Sequence, residues 1–373
     1  MHAEVFAVED TAVQACWSAV PEGPVVVRAG DSEVVVESPG GPGGVVVDGL
    51  PHSTSVTVTV AAGGAPPKTV GRVTTLTPPP GRRLSRFAAV NDLHLGATAF
   101  GTAHPIWNDD PADPPPLRCA RAALAEAGAW GAEALVVKGD LTQHGHAAEW
   151  EAAARVLTEP GLPLLVIEGN HETRRGAVDG TAIMAEHGIA LATVHAISRD
   201  LPGVRIVGLP TTGWHTGRGS IAEHALAEAI DLVAAAPPGA GVVVALHHYP
   251  QRFRYPTIYP AGIAGDDARR ALDAIAEANP HALVLAGHSH RHRRHFYRNM
   301  VLAESGSTKD FPGSWAGFTV YEGGILQTTR RIMDPSAIGW TERGRHVMGG
   351  VWGVWAPGLR SHRCFAYVWD SAA

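Results

Sequence analysis

Hydrophobic positions change rhythm once along this chain, near residue 80. Over residues 1–78, valine triplets at 25–27, 34–36 and 45–47 alternate with clusters of Gly, Pro, Asp and Ser. Val56, Val58 and Val60 interleave with Thr57 and Thr59, the period of two expected of a half-buried strand. Short strands at this spacing predict a small all-β sandwich, with Trp17 as an early core residue. Thr77-Pro78-Pro79-Pro80-Gly81 then opens a stiff linker over 79–85. From residue 86 the pattern becomes strand and helix in alternation. Apolar runs at 87–90, 134–137, 164–167, 204–209, 242–246 and 283–286 read as strands. Stretches 117–130, 146–157, 221–235 and 266–278 read as helices. This is an α/β order, running to about residue 331. The remaining 332–373 form an extension rich in tryptophan (Trp340, Trp352, Trp355, Trp369), expected to dock on the core.

Composition narrows the classes. Apolar residues make up 45% of the 373, which excludes wholesale disorder. With 43 glycines, 28 prolines and only 18% charged residues, the chain suits a loop-rich fold better than a bundle or coiled coil. The formal net charge of −6 excludes a global basic footprint and argues against a nucleic-acid polymer as partner. Cys16, Cys119 and Cys364 are too few and too scattered for a disulfide framework or a zinc-finger spacing, and read as free thiols. Met1-His2-Ala3-Glu4-Val5 has neither a basic start nor an apolar stretch, and no run reaches 18 apolar residues. The expectation is a cytoplasmic protein with no membrane partner. Twenty histidines are the unusual count, because His is the commonest metal ligand and titrates near neutrality.

Those histidines concentrate just after the expected strand ends, where open α/β sheets bind ligands. In chain order the clusters are Asn91-Asp92-Leu93-His94, Gly139-Asp140-Leu141-Thr142, Gly169-Asn170-His171-Glu172, His247-His248-Tyr249-Pro250 and Gly287-His288-Ser289-His290. Any one of them would serve as a turn or helix cap. Five together supply Asp, Asn and His donors for a pair of metals. Mixed nitrogen and oxygen donors suit Mn, Fe, Zn or Ni over calcium, and a carboxylate between two such ions bridges them. The Gly before three of the clusters permits close backbone approach.

With these motifs in place, residues 86–331, roughly two-thirds of the chain, resemble calcineurin-like metallophosphoesterases. That family carries Asp-x-His, Gly-Asp, Gly-Asn-His-Asp/Glu, a His often followed by His and Pro, and Gly-His-x-His. The resemblance implies a four-layer α-β-β-α sandwich, with the smaller all-β sandwich ahead of it. It also implies two metal ions per chain. Asp92, His94 and His290 would hold the first, Asn170, His247 and His288 the second, and Asp140 would bridge. His248 stays open as the alternative to His247. His171 would face the substrate as the catalytic group, protonating the leaving oxygen or holding the phosphate. A metal-bound hydroxide would then attack phosphorus in line, with no covalent enzyme intermediate.

The branch of the family is read from departures. Purple acid phosphatases also carry an N-terminal β domain, but they use Asp-x-Gly first and a Tyr three residues after the bridging Asp. Here those positions hold His94 and Gln143. The motif set is closer to class III cyclic-nucleotide phosphodiesterases, although Asn91 and the valine-rich front domain depart from them. Gly49-Leu50-Pro51 before the alternating strand is similar to fibronectin type III domains, without their usual Tyr. The expectation is a phosphodiesterase acting on a small phosphoester, with a phosphatase as the alternative. A non-catalytic binding protein on the same scaffold is a lesser reading. Outside the motifs, residues 100–116 are expected to wall the cleft, and the aromatics Tyr249, Phe253, Tyr255 and Tyr259 to pack a loop. Arg174, Arg175, Arg291, Arg293 and Arg294 are expected to be solvated.

Overall fold

The computed structural model describes residues 2–101, 105–108, 110–213, 215–256 and 258–369. Parts of the 100–116 insertion therefore lie outside the described residues, as do the last four residues of the extension.

Two sheets packed face to face form the centre. One has seven strands in the order Leu191–Ala192, Leu164–Ile167, Leu135–Lys138, Arg83–Val90, Ser314–Tyr321, Gly324–Arg331 and Phe365–Val368. The other has six, in the order Ile197–Leu201, Val204–Gly208, Gly241–Ala245, Leu283–Ala286, Met300–Glu304 and Arg293–Tyr297. In the seven-stranded sheet the first four strands run parallel and the last three pair antiparallel; in the six-stranded sheet the four inner strands run parallel and both edges pair antiparallel. Alternation along each strand decides both layers. Phe87, Ala89, Val136, Leu165 and Ile167 face Val243, Ala245, Leu283 and Leu285 between the sheets. Their neighbours Ala88, Val90, Leu135, Val137 and Val166 point outward, under helices Pro115–Ala129, Ala147–Thr158 and Pro335–Arg343. Val242, Val244 and Val284 likewise meet helices Glu223–Ala234 and Gly265–Ala278. Burial on both faces explains why these strands read as unbroken apolar runs. The result is the four-layer α-β-β-α arrangement.

Residues 3–74 build a separate five-stranded antiparallel sheet. Its valine triplets lie within two long strands, Val13–Ala29 and Ser32–Val47. Gly and Pro near their middles, with a register shift between Trp17 and Val20, carry each strand across from one half of the sheet to the other. The near half pairs with Ala3–Val8 and the far half with Ser55–Ala62, which in turn pairs with Lys68–Thr74. One core of Val5, Val13, Trp17, Val25, Val27, Val58 and Val60 lies between them. This unit is clamped to the edge of the seven-stranded sheet. The Gln14 side chain exchanges two hydrogen bonds with the Arg331 backbone, at 2.8 and 2.9 Å. Glu9 accepts from Arg330 Nε at 2.7 Å, and the Arg363 guanidinium donates to the Phe6 carbonyl at 2.9 Å.

The extension joins the same edge. Its strand Phe365–Val368 completes the seven-stranded sheet, and Trp340 and Trp352 donate to the carbonyls of Lys309 and Phe311. No helix is long and apolar enough to cross a membrane among the described residues.

Candidate metal centre

Each motif leaves the C-terminal end of an inner strand and turns sharply. Asp92, His94, Asp140, His288 and His290 all adopt left-handed backbone, with φ between 48° and 65°. Asp and His tolerate that region better than most residues, yet such positions cost on the order of 1 kcal/mol or more each. Cross-bonding between the turns holds them there. His94 N–H donates to the Asp140 carbonyl at 2.9 Å, Asp92 N–H to the Gly139 carbonyl at 3.0 Å, and His288 N–H to Asp92 Oδ2 at 3.1 Å. Gly169 is required by contact rather than conformation, since a Cβ there would lie 2.3 Å from the Asp140 nitrogen.

The fold brings all eight predicted residues together, and Asp140 stands in the middle. Its carboxylate is 3.6 Å from His94 Nε2, 3.8 Å from His171 Nε2 and 3.4 Å from His247 Nε2. On one side, His290 Nε2 lies 3.1 Å from His94 Nε2 and 3.5 Å from Asp92 Oδ1. On the other, His247 Nε2 lies 3.2 Å from Asn170 Oδ1, with the His288 ring 5.0 Å away. Asp92, His94, Asp140 and His290 form one group able to hold a cation, and His247, His248 and His288 another. His248 Nδ1 is paired with the Thr211 hydroxyl at 3.0 Å, while its buried Nε2 has no hydrogen-bond partner among the described residues.

Electrostatics show what the donors require. Burial alone would raise the Asp140 pKa, but the ring of histidines outweighs it and holds the carboxyl well below its usual range. Burial raises Asp92, whose Oδ1 has no hydrogen-bond partner among the described residues although it is fully enclosed. His94 and His248 are pushed down by burial, and His288 down to about 3, so these rings present lone pairs. Buried carboxylates and neutral imidazoles at such distances are stabilised by a cation between them. The donor set fits metals.

Around the centre lie groups whose roles the motifs do not reveal. Both Glu172 oxygens are occupied, one by the N–H groups of Asp140 and Gly169, the other by the Thr142 N–H and hydroxyl. Asp310, in the loop before Ser314–Tyr321, accepts from His290 Nδ1, and Lys309 donates to its other oxygen at 2.6 Å. Glu304 accepts from Ser289 between the two last histidines, at 2.8 Å. Glu172 closes the third motif; for the rest of this shell the sequence signal is a charged residue closing a buried strand. Lys138 ends Leu135–Lys138, donates to the Ala286 carbonyl at 2.6 Å, and is lowered to about 7 by burial.

Two expectations are corrected. Arg175 is exposed as expected, but the other four arginines are half-buried and engaged. Arg174 donates to His171 Nε2 at 2.5 Å, Arg291 covers the Trp355 ring, Arg293 pairs with Glu304 at 3.2 Å, and Arg294 covers Phe365. Aromatic faces from the extension and a buried carboxylate recruit them. Of the four aromatics expected to pack the 249–259 loop, Tyr249 alone is buried. Phe253, Tyr255 and Tyr259 are 55%, 75% and 91% exposed.

A sequence model of the family described as calcineurin-like phosphoesterase matches residues 85–292. The chain belongs to that family. It is a metal-dependent phosphoester hydrolase, and the His/Asp cluster is the place for its dinuclear centre. Among solved structures it resembles a dimetal phosphatase from Danio rerio, with 13% identity over 67% of this chain and 97% of that one, at a TM-score of 0.52. A purple acid phosphatase from yellow lupin seeds aligns over 90% of this chain and 72% of that one, at 10% identity and a TM-score of 0.46. No curated protein matches.

Proposed function

We propose that this calcineurin-like phosphoesterase is a phosphodiesterase, with Asp92, His94 and His290 holding one metal, Asn170, His247 and His288 the other, and Asp140 shared. The observation that carries this reading is the Asp140 carboxylate, within 3.4–3.8 Å of histidines on both sides. His247 is preferred to His248 because its Nδ1 donates to the Lys138 carbonyl at 2.7 Å, which turns Nε2 toward Asp140 and Asn170. When bound, the metals supply an activated water and neutralise charge on the phosphoryl oxygens. The front domain is read as fibronectin type III-like from its strand order, and Mn, Fe, Zn or Ni suit the donors.

The residues themselves handle the proton. His171 Nδ1 donates to the Gln143 carbonyl at 2.9 Å, so Nε2 carries the lone pair that Arg174 covers. Burial, with Arg174 adding to it, lowers this ring to about 4. A phosphoryl anion that draws the Arg174 donors away also favours the imidazolium, the form that delivers a proton to a leaving oxygen. Lys309 is engaged by Asp310. Arg174 is then the one arginine bonded to the centre among the described residues, and a single added cation matches the single charge of a diester.

The test pairs metal content by elemental analysis with Mn-supplemented rates on bis(p-nitrophenyl) phosphate and p-nitrophenyl phosphate. Two metals per chain and a higher kcat/KM on the diester are expected. Preference for the monoester would replace the reading with a phosphatase, and absence of metal and turnover would leave a binding protein.

A further inference from the structure

Behind the Gly169–Thr173 turn lies a cavity of about 300 Å³ that none of the proposed metal-holding residues lines. It opens at the same sheet edge, because Glu168 follows strand Leu164–Ile167, Thr193 follows Leu191–Ala192, and Thr212 follows Val204–Gly208 by a few residues. Its volume is at the lower end of small-molecule sites.

The lining is acidic: Glu168, Glu172 and Asp179 contribute carboxyl groups against one imidazole, His224, and no lysine or arginine lines it among the described residues. Glu168 Oε1 accepts from the Thr212 hydroxyl at 2.5 Å, and no lysine or arginine pairs with this partly buried group among the described residues. Burial raises its pKa to about 7, with Asp179 in the same wall adding to the rise and the Thr212 hydroxyl and His247 opposing it. Trp150, Val178, Val194 and Pro210 add apolar side chains to the lining. An anionic guest would be repelled here, and a neutral apolar one would leave the burial penalty on the Glu168 carboxylate uncompensated. A cation with a short hydrocarbon body suits this lining, because an ammonium makes charge-assisted hydrogen bonds to Glu168 while its chain covers the apolar side chains.

We propose that this cavity binds a small organic ammonium compound, with Glu168 as its counter-ion. The site is separate from the phosphoester centre and holds whichever ester that centre cleaves. Glu172 and Thr173 belong to both the cavity wall and the turn that carries Asn170, so occupancy and the metal centre are coupled, and the coupling is reciprocal.

The test is calorimetric titration of the metal-loaded full chain with n-butylammonium, and with n-butanol and butyrate as probes of equal chain length. Saturable one-to-one binding of the amine is expected, with the alcohol and the acid at least about tenfold weaker. Glu168→Gln should weaken the amine about tenfold or more while metal content is unchanged. Val178→Trp narrows the rim from an exposed position, away from the metals, and should also remove binding. It decides the matter if Glu168→Gln disturbs metal retention. No saturation up to about 10 mM, equal binding of butanol, or full binding by Val178→Trp would overturn the proposal. The last outcome would place the amine elsewhere, the metals included.

Discussion

Asp310 holds His290 from behind. Its buried carboxylate accepts from His290 Nδ1 on one oxygen and from Lys309 on the other, so the ring is fixed with Nε2 turned toward Asp92 and His94. Burial would raise this carboxyl, but Lys309 and His290 keep it below its usual value. A carboxylate behind a ligating imidazole sets its tautomer and raises its basicity. Asp310→Asn should weaken one of the two metal affinities about 10–100-fold and leave the other nearly unchanged. Competition with a graded chelator resolves the two sites, and equal affinities in variant and parent would remove Asp310 from this role.

Asp140 is the contact shared by both halves of the centre, and the turn before it is built without slack. Asp140→Asn keeps the shape but removes the charge that offsets the surrounding imidazoles. Metal stoichiometry should fall below two, and kcat by at least about a thousandfold. Elemental analysis alongside diester turnover checks both. Two retained metals with near-normal rate would mean that Asp140 does not bridge.

His171 and Arg174 act as a unit, so their losses should not add. His171→Ala is expected to keep both metals and to lower kcat about 10²–10⁴-fold, the usual range for a positioned acid or base. Arg174→Ala should raise KM more than it lowers kcat, since its donors reach the phosphoryl group in ground and transition states alike. The double variant should fall little below His171→Ala. Strict additivity of the two free energies would show that they work independently.

Much of this centre was legible because its residues sit in short motifs next to strands that are apolar on both faces. Phe87–Val90 and Leu164–Ile167 could be placed from hydrophobicity alone, and the motifs followed them. The antiparallel strands Ser314–Tyr321 and Gly324–Arg331 were not placed, because they carry Thr, Gln and Arg into buried positions. Gln327, Thr328, Thr329 and Arg331 are enclosed by the front domain and the extension, a tertiary fact with no periodic trace. The supporting shell is hidden for the same reason. Asp310 and Glu304 meet His290 and Ser289 across 20 and 15 residues, and neither belongs to a motif. Arg174 was read as surface because its neighbour Arg175 is, whereas one turn of backbone puts its guanidinium on His171.

The cysteines give a prediction that does not depend on metals. Cys16, Cys119 and Cys364 are all buried and free, Cys16 and Cys364 where the front domain meets the extension, and Cys119 on the buried face of helix Pro115–Ala129. Burial pushes Cys16 up to about 12 and raises the other two as well. In the unfolded chain a thiol ionises near pH 8.5, so above that pH the unfolded state releases a proton that the native state keeps. Stability therefore falls as pH rises from about 8.5 toward 12, and these thiols contribute nothing to its pH dependence below that window. For Cys16 the loss reaches about 2 kcal/mol by pH 10. Comparing urea midpoints of the parent and Cys16→Ala at pH 7 and pH 10 isolates this share from other titrating groups. The variant should lose less stability over that interval, and native thiols should not react with a disulfide reagent at pH 8 until urea unfolds the chain. Rapid labelling of the native protein would show that the seam between front domain and extension opens, and that the thiol there is not held neutral.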